Sequence, residues 1–113
     1  MKISSDVYRY CISTGVWQKV TSMNYERSFF SLVSLNGFLY AIGGFGENKI
    51  ERYDPKINKW EVMLETHHQM CYTTGATHNG SIYILNQNNS GFGAYSPGSN
   101  TWQTLPLPPI SLY

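Results

Sequence analysis

The sequence predicts an all-β fold assembled from repeated units of four short antiparallel strands. Three observations predict it. Aromatic residues recur at a fixed interval of 42 to 43 residues, Asn-Gly pairs fall between short apolar runs, and no ten-residue window carries the apolar spacing of a helix.

The interval appears in several residue types at once. Trp17, Trp60 and Trp102 are separated by 43 and 42 residues, and Tyr10, Tyr53 and Tyr95 repeat both intervals, so a tyrosine precedes a tryptophan by seven residues three times. Gly37 and Gly80 lie 43 apart, as do Tyr40 and Tyr83, which aligns residues 36–42 with residues 79–85.

Each unit is then legible in order. Residues 29–35 are an apolar run ending at Asn36-Gly37, and 38–42 form a second run. Asn-Gly between two such runs is a strong hairpin signal, because a type I′ turn needs positive φ at both central residues. Gly43 to Asn48 make the next connection, residues 49–54 a third strand, and Asp54-Pro55-Lys56-Ile57-Asn58 a turn into a fourth strand at 59–62. Four antiparallel strands per repeat describe a β-propeller blade. The chain, 1–113, accordingly divides into a half blade at 6–20, a complete repeat at 28–63, a divergent repeat at 71–105 and a tail at 106–113. Gly or Pro interrupts most windows long enough for a helix, and the period excludes 34-residue helical repeats.

These residues resemble kelch repeats, and specifically the propellers of BTB-kelch (kelch-like) proteins. The likeness rests on residues 35–44, ending in the double glycine Gly43-Gly44, on Glu51-Arg52-Tyr53-Asp54-Pro55, and on Asn58-Lys59-Trp60. The Gly-His and Trp-Asp signatures of WD40 blades, which share the period, do not occur. In the second repeat Asn86-Gln87 replaces the double glycine and Ser96-Pro97 replaces Asp54-Pro55. Glycine at that strand end permits a backbone conformation that most side chains resist, so the second loop is expected to differ. The resemblance implies about six blades. The chain therefore reads as an incomplete β-propeller: a fragment, a truncated product, or a piece that assembles with copies or partners.

Composition narrows the function. Lys plus Arg number 8 and Asp plus Glu 7, for a net charge of +1 with no run of either sign, so neither nucleic acid nor a membrane surface is an expected partner. Residues 1–6 are polar and lack a secretory signal's apolar core, which points to a cytoplasmic location. Cys11 and Cys71 lie in apolar, aromatic segments and are expected to be buried free thiols. The sequons at Asn79 and Asn88 read as chance matches.

Chemistry finds little support. His67, His68 and His78, with Glu65 nearby, lack the spacing of a closed zinc site, and neighbouring histidines on a strand point to opposite faces. Cys71 with a nearby histidine lacks a third, orienting group. Gly43-Gly44-Phe45-Gly46 precedes neither a helix nor a Lys-Ser/Thr pair, so no phosphate cradle is expected. The repeated aromatics, Tyr10, Trp17, Tyr53, Trp60, Tyr95 and Trp102, are expected in the core. Burying one such ring contributes up to about 5 kcal/mol, against about 1 kcal/mol for an exposed cation–π contact. Gly37, Gly43, Gly44 and Gly80 serve turns. No cofactor, metal or catalytic group is expected, and the chain is read as a non-enzyme.

What remains is binding, which loops on a rigid scaffold carry. In kelch-like propellers the resemblance implies that loops between second and third strands, together with inter-blade loops, hold a protein partner. Here those loops supply Glu47, Asn48 and Asn88 for the first kind and Tyr25, Arg27, His67, His68 and Gln69 for the second. Arg27 suits a partner carboxylate, and equally suits the carbonyls of a neighbouring loop. In BTB-kelch relatives such a propeller delivers substrates to a cullin-3 ubiquitin ligase through a BTB domain that this sequence lacks. An actin-associated scaffold is the alternative, and oxidases or epimerases of kelch type a third.

Overall fold

The structure, a computed structural model, describes residues 4–45, 47–66, 70, 73–86 and 91–107. The described elements are strands, in three antiparallel sheets. β1 (Val7–Cys11) and β2 (Val16–Val20) form a two-stranded sheet. β3 (Ser31–Leu35), β4 (Phe38–Ile42), β5 (Lys49–Asp54) and β6 (Lys59–Glu65) form a four-stranded sheet in chain order. β7 (Thr74–His78), β8 (Ser81–Leu85), β9 (Phe92–Ser96) and β10 (Thr101–Thr104) form another. Among the described residues no helix is long and apolar enough to cross a membrane.

The turns follow from residue type. Asn36 and Gly37 adopt φ of 53° and 85°, and Asn79 and Gly80 48° and 80°, the paired positive values that two-residue hairpins demand. The turn before each last strand repeats as well: Gly15, Asn58 and Asn100 all take positive φ, at 70°, 53° and 54°. Tyr53 donates its hydroxyl to Asn58 Oδ1 at 2.6 Å, and Tyr95 does the same to Asn100 at 2.6 Å. One asparagine thus serves as left-handed turn residue and as acceptor for a buried phenol.

Each four-stranded sheet buries one face against its neighbour. Tyr40, Ile42 and Ile50 of the first meet Ile82, Ile84 and Tyr95 of the second, with Met70 between them. On the other side of the first sheet, Ala41, Tyr53 and Trp60 pack on Val20 and Met23, which follow from the two-stranded sheet. β3 also touches β7 directly, with Ser31 Oγ 2.7 Å from Thr73 Oγ1, so the first strands of the two full blades lie side by side.

Two expectations are corrected here. Tyr10 and Trp17 pair at 5.1 Å much as Tyr53 and Trp60 do at 5.2 Å, but they are 49% and 66% exposed rather than buried, because their sheet has no neighbour on that side. Cys11 is exposed rather than buried, since it ends the outer hairpin of that same sheet, and Cys71 lies outside the described residues.

Candidate functional site

Register fixes which loops share an end. Ser31 pairs with Ile42 and Lys49 with Glu65, so the start of β3, the end of β4, the start of β5 and the end of β6 are neighbours. The β4–β5 loop and the segments entering β3 and leaving β6 therefore meet at one end of the blade. Backbone bonds tie them together: Phe45 N donates to Ser28 O, Gly44 N to Met70 O, and Thr66 N to Asn48 O.

The double glycine makes this closeness possible. A Cβ on Gly43 would collide with the Met70 carbonyl oxygen of the segment entering the next blade, and Gly44 takes φ of 117° and would crowd Ser28 O of the segment entering its own.

Beneath the loops lies a buried ion pair. Arg27 Nη2 sits 2.8 Å from Glu51 Oε2 with both side chains fully buried. Arg27 Nη1 donates to the carbonyls of Gly43 and Lys49, each at 2.7 Å, and Glu51 Oε1 accepts from Asn24 N at 2.6 Å. β5 keeps its regular register with β4, so Ile50 and Glu51 point to opposite faces of the sheet, and both are buried because the sheet is covered on both sides; the irregularity beside them, at Met63, lies on β6. The guanidinium is thus occupied by its own loops. Arg27 is corrected from a partner-facing residue to a structural one, because a buried, fully bonded guanidinium has no donor to offer outside.

Above this floor stand exposed and half-buried groups. Phe45 is 60% exposed. Lys49 Nζ lies 4.8 Å from the Tyr25 ring and 3.8 Å from both Glu47 and Glu65. Glu47 also accepts from the backbone of Asn48 and Lys49 at 3.0 Å, which fixes the loop around it. Asn48 acts as a clamp, donating from Nδ2 to Thr66 O at 3.0 Å and Glu65 at 3.3 Å. Phe29 holds φ of 56°, a conformation that costs a bulky residue about 1–3 kcal/mol and that gathers at functional loops.

Of the expected partner residues, Tyr25, Glu47 and Asn48 come together at this end. His67, His68, Gln69 and Asn88 lie outside the described residues. His78 ends β7 at the opposite end of its blade, beside Tyr83. Among the described residues no three His, Cys, Asp or Glu side chains converge in a metal-binding arrangement. Sequence reasoning overlooked Lys49 as the centre of the cluster, and Glu51 as the partner of Arg27. Residues 49–54 mix charged and apolar side chains, with Asp54 a second carboxylate, so nothing in the sequence singles Glu51 out.

Known proteins agree with this architecture. The kelch motif matches residues 26–63. Kelch-like protein 40 of Xenopus tropicalis is 38% identical over 88 residues, covering 66% of this chain and 14% of that protein. Kelch-like protein 35 of Mus musculus is 31% identical over 102 residues, covering 87% of this chain and 17% of that protein. An F-box/kelch-repeat protein of Arabidopsis thaliana is 27% identical over 107 residues, covering 90% of this chain and 31% of that protein. The chain thus spans less than a third of each of these relatives. The solved structure of YjhT superposes with a TM-score of 0.81 at 17% identity, covering 94% of this chain and 46% of that one.

The YjhT likeness also corrects one expectation. The reading of the chain as a non-enzyme rests on its fold type and its lack of a ligand set. A fold shared with YjhT at 17% identity does not speak against catalysis, however, and that exclusion does not stand. What motif and geometry establish together is narrower and firm: residues 26–63 match the kelch motif, and the chain folds as antiparallel four-stranded sheets with the fold of YjhT.

Proposed function

We propose that this chain is a protein-binding module whose partner rests on the loop end of the blades, over Tyr25, Phe45, Glu47, Lys49 and Glu65. The observation that carries this reading is the contrast between the two layers of that end. The buried Arg27–Glu51 pair holds both loops from below, and an exposed aromatic and an unburied charge cluster stand above. A rigid floor lowers the ordering cost of binding, and a mixed aromatic and charged surface suits a protein interface.

Within a longer parent, this surface recognises substrates for a cullin-3 ubiquitin ligase, with the cullin engaged by a BTB domain elsewhere in that parent, and it works in the cytoplasm. The resemblance to BTB-kelch proteins and the match to kelch-like proteins 40 and 35 support this assignment.

Affinity capture with the parent protein tests it. Recovery of cullin-3 with a second protein, the second lost on Phe45→Asp and kept on Ile57→Asp, is the expected result. Ile57 is an equally exposed apolar residue at the opposite end of the blade, so it controls for nonspecific stickiness. Recovery of actin without ligase subunits would replace the ligase assignment with the scaffold one, and indifference to Phe45→Asp would remove the loop end as the site.

A further inference from the structure

The asparagines that take positive φ among the described residues are of two kinds. Asn58 and Asn100 hold their side-chain oxygens on the hydroxyls of Tyr53 and Tyr95, and they precede Lys59 and Thr101. Asn36 and Asn79 are exposed, hold no side-chain hydrogen bond among the described residues, and precede Gly37 and Gly80. The space around both glycines is open, since a Cβ at either would meet nothing within 4 Å. The bond that closes a two-residue turn joins the flanking residues, here Leu35 with Phe38 and His78 with Ser81, so within the turn each glycine nitrogen has no carbonyl partner.

We propose that these two turns are sites of spontaneous deamidation, with Asn79 ahead of Asn36. The glycine nitrogen attacks the asparagine Cγ, and the new C–N bond closes a five-membered succinimide. The bond from Cγ to Nδ2 breaks, and Nδ2 leaves as ammonia with the proton of the glycine nitrogen. Water then opens the ring at either carbonyl, giving aspartate or isoaspartate.

The fold sets the order. Closing the ring holds the asparagine's ψ away from the value that a type I′ turn needs, so the step runs while the turn is open. Leu35 and Phe38, which flank the first turn, pack against the core between the full blades, and the Arg52 guanidinium lies 4.2 Å from the Phe38 ring. The second turn has no such anchor: His78 is exposed, and Ser81 is held by a hydroxyl contact of 2.9 Å to Ser96. It therefore opens more often. An isoaspartate at position 79 runs the main chain through the side chain, which lengthens the turn by a methylene and disturbs the register of β7 on β8. β7 is the strand that touches β3, so the damage reaches the contact between the two full blades. Both turns lie at the end opposite the loop end, and the modification does not depend on the partner-binding assignment.

Peptide mapping by mass spectrometry of the parent protein, held folded at neutral pH for weeks, tests it. Asn79 should convert several-fold faster than Asn36, Asn58 and Asn100 should stay intact, and the product at position 79 should contain both isoaspartate and aspartate. In strong urea, where neither turn is held, the two Asn-Gly sites should convert at about the same rate. Phe38→Ala removes an anchor, so it should raise conversion at Asn36 several-fold while Asn79 keeps its own rate. If the rate at Asn79 rises too, the blade has opened as a whole and Leu35→Ala serves in its place. Conversion in the folded protein that is no faster at Asn79 than at Asn36, or no faster at either than at Asn58, overturns the proposal. So does aspartate without isoaspartate, which means hydrolysis with no ring, or a rate at Asn36 that neither anchor variant moves.

Discussion

Arg27 and Glu51, 24 residues apart in sequence, form a fully buried ion pair at 2.8 Å that ties the inter-blade segment to the β4–β5 loop. Their counterparts one repeat later, Met70 and Gly93, have both lost their charge. Neither repeat therefore holds one member of the pair without the other, which would strand a charge in the interior.

Removal of either partner alone should accordingly be severe. Arg27→Ala or Glu51→Ala is expected to cost about 3–5 kcal/mol in urea unfolding. The double change Arg27→Met with Glu51→Ala should be at least about 1 kcal/mol less damaging than the two single costs added together. Strict additivity would show that the two side chains do not act as a pair.

The double glycine gives a sharper steric prediction. Gly43→Ala should be strongly destabilising, because its Cβ would stand 2.2 Å from the Met70 carbonyl. Gly37→Ala, with nothing within 4 Å, should cost only the left-handed backbone penalty of about 1–2 kcal/mol. Equal losses in thermal unfolding would contradict the close approach.

The Tyr–Asn bond predicts a small, repeated effect. Tyr53→Phe and Tyr95→Phe should each cost about 0.5–1.5 kcal/mol by loss of the hydrogen bond to Asn58 or Asn100. Asn58→Gly keeps the positive φ but removes an acceptor that also serves Thr21 N at 3.2 Å, so it should cost more than Tyr53→Phe. Equilibrium unfolding of the three variants checks the order.

Cys11 supplies a pH-dependent readout. Hydrogen bonds from the Ser13 and Thr14 side chains lower its pKa from 9.0 to about 7, favouring the thiolate. Alkylation by iodoacetamide should therefore rise through a midpoint near pH 7 rather than 9, and Ser13→Ala should move that midpoint upward. A midpoint that stays fixed on Ser13→Ala would rule out the hydrogen bonds as its cause.

The fold was legible because its signals are local and repeated. Asn36-Gly37 and Asn79-Gly80 report turns by chemistry alone, and the tyrosine and tryptophan interval reports the blade. The asparagines at 58 and 100 were equally available, since each follows its tyrosine by five residues, but their double role appears only when the turn is built. Exposure was less legible. Tyr10 and Trp17 have the same sequence signature as Tyr53 and Trp60, and their burial depends on a neighbouring sheet rather than on their own strand. Arg27 illustrates the same limit at the site: a loop arginine looks like a partner contact until the fold sets it against Glu51, which points from β5 to the buried face on the Arg27 side.

The loop end is the centre of the functional account, and photo-crosslinking tests it most directly. Benzoylphenylalanine placed at position 45, at the loop end, and at position 57, at the opposite end, would be irradiated with the parent protein in cell extract. The account predicts a discrete partner adduct from position 45 and none from position 57. An adduct from position 57 with none from position 45 would contradict it.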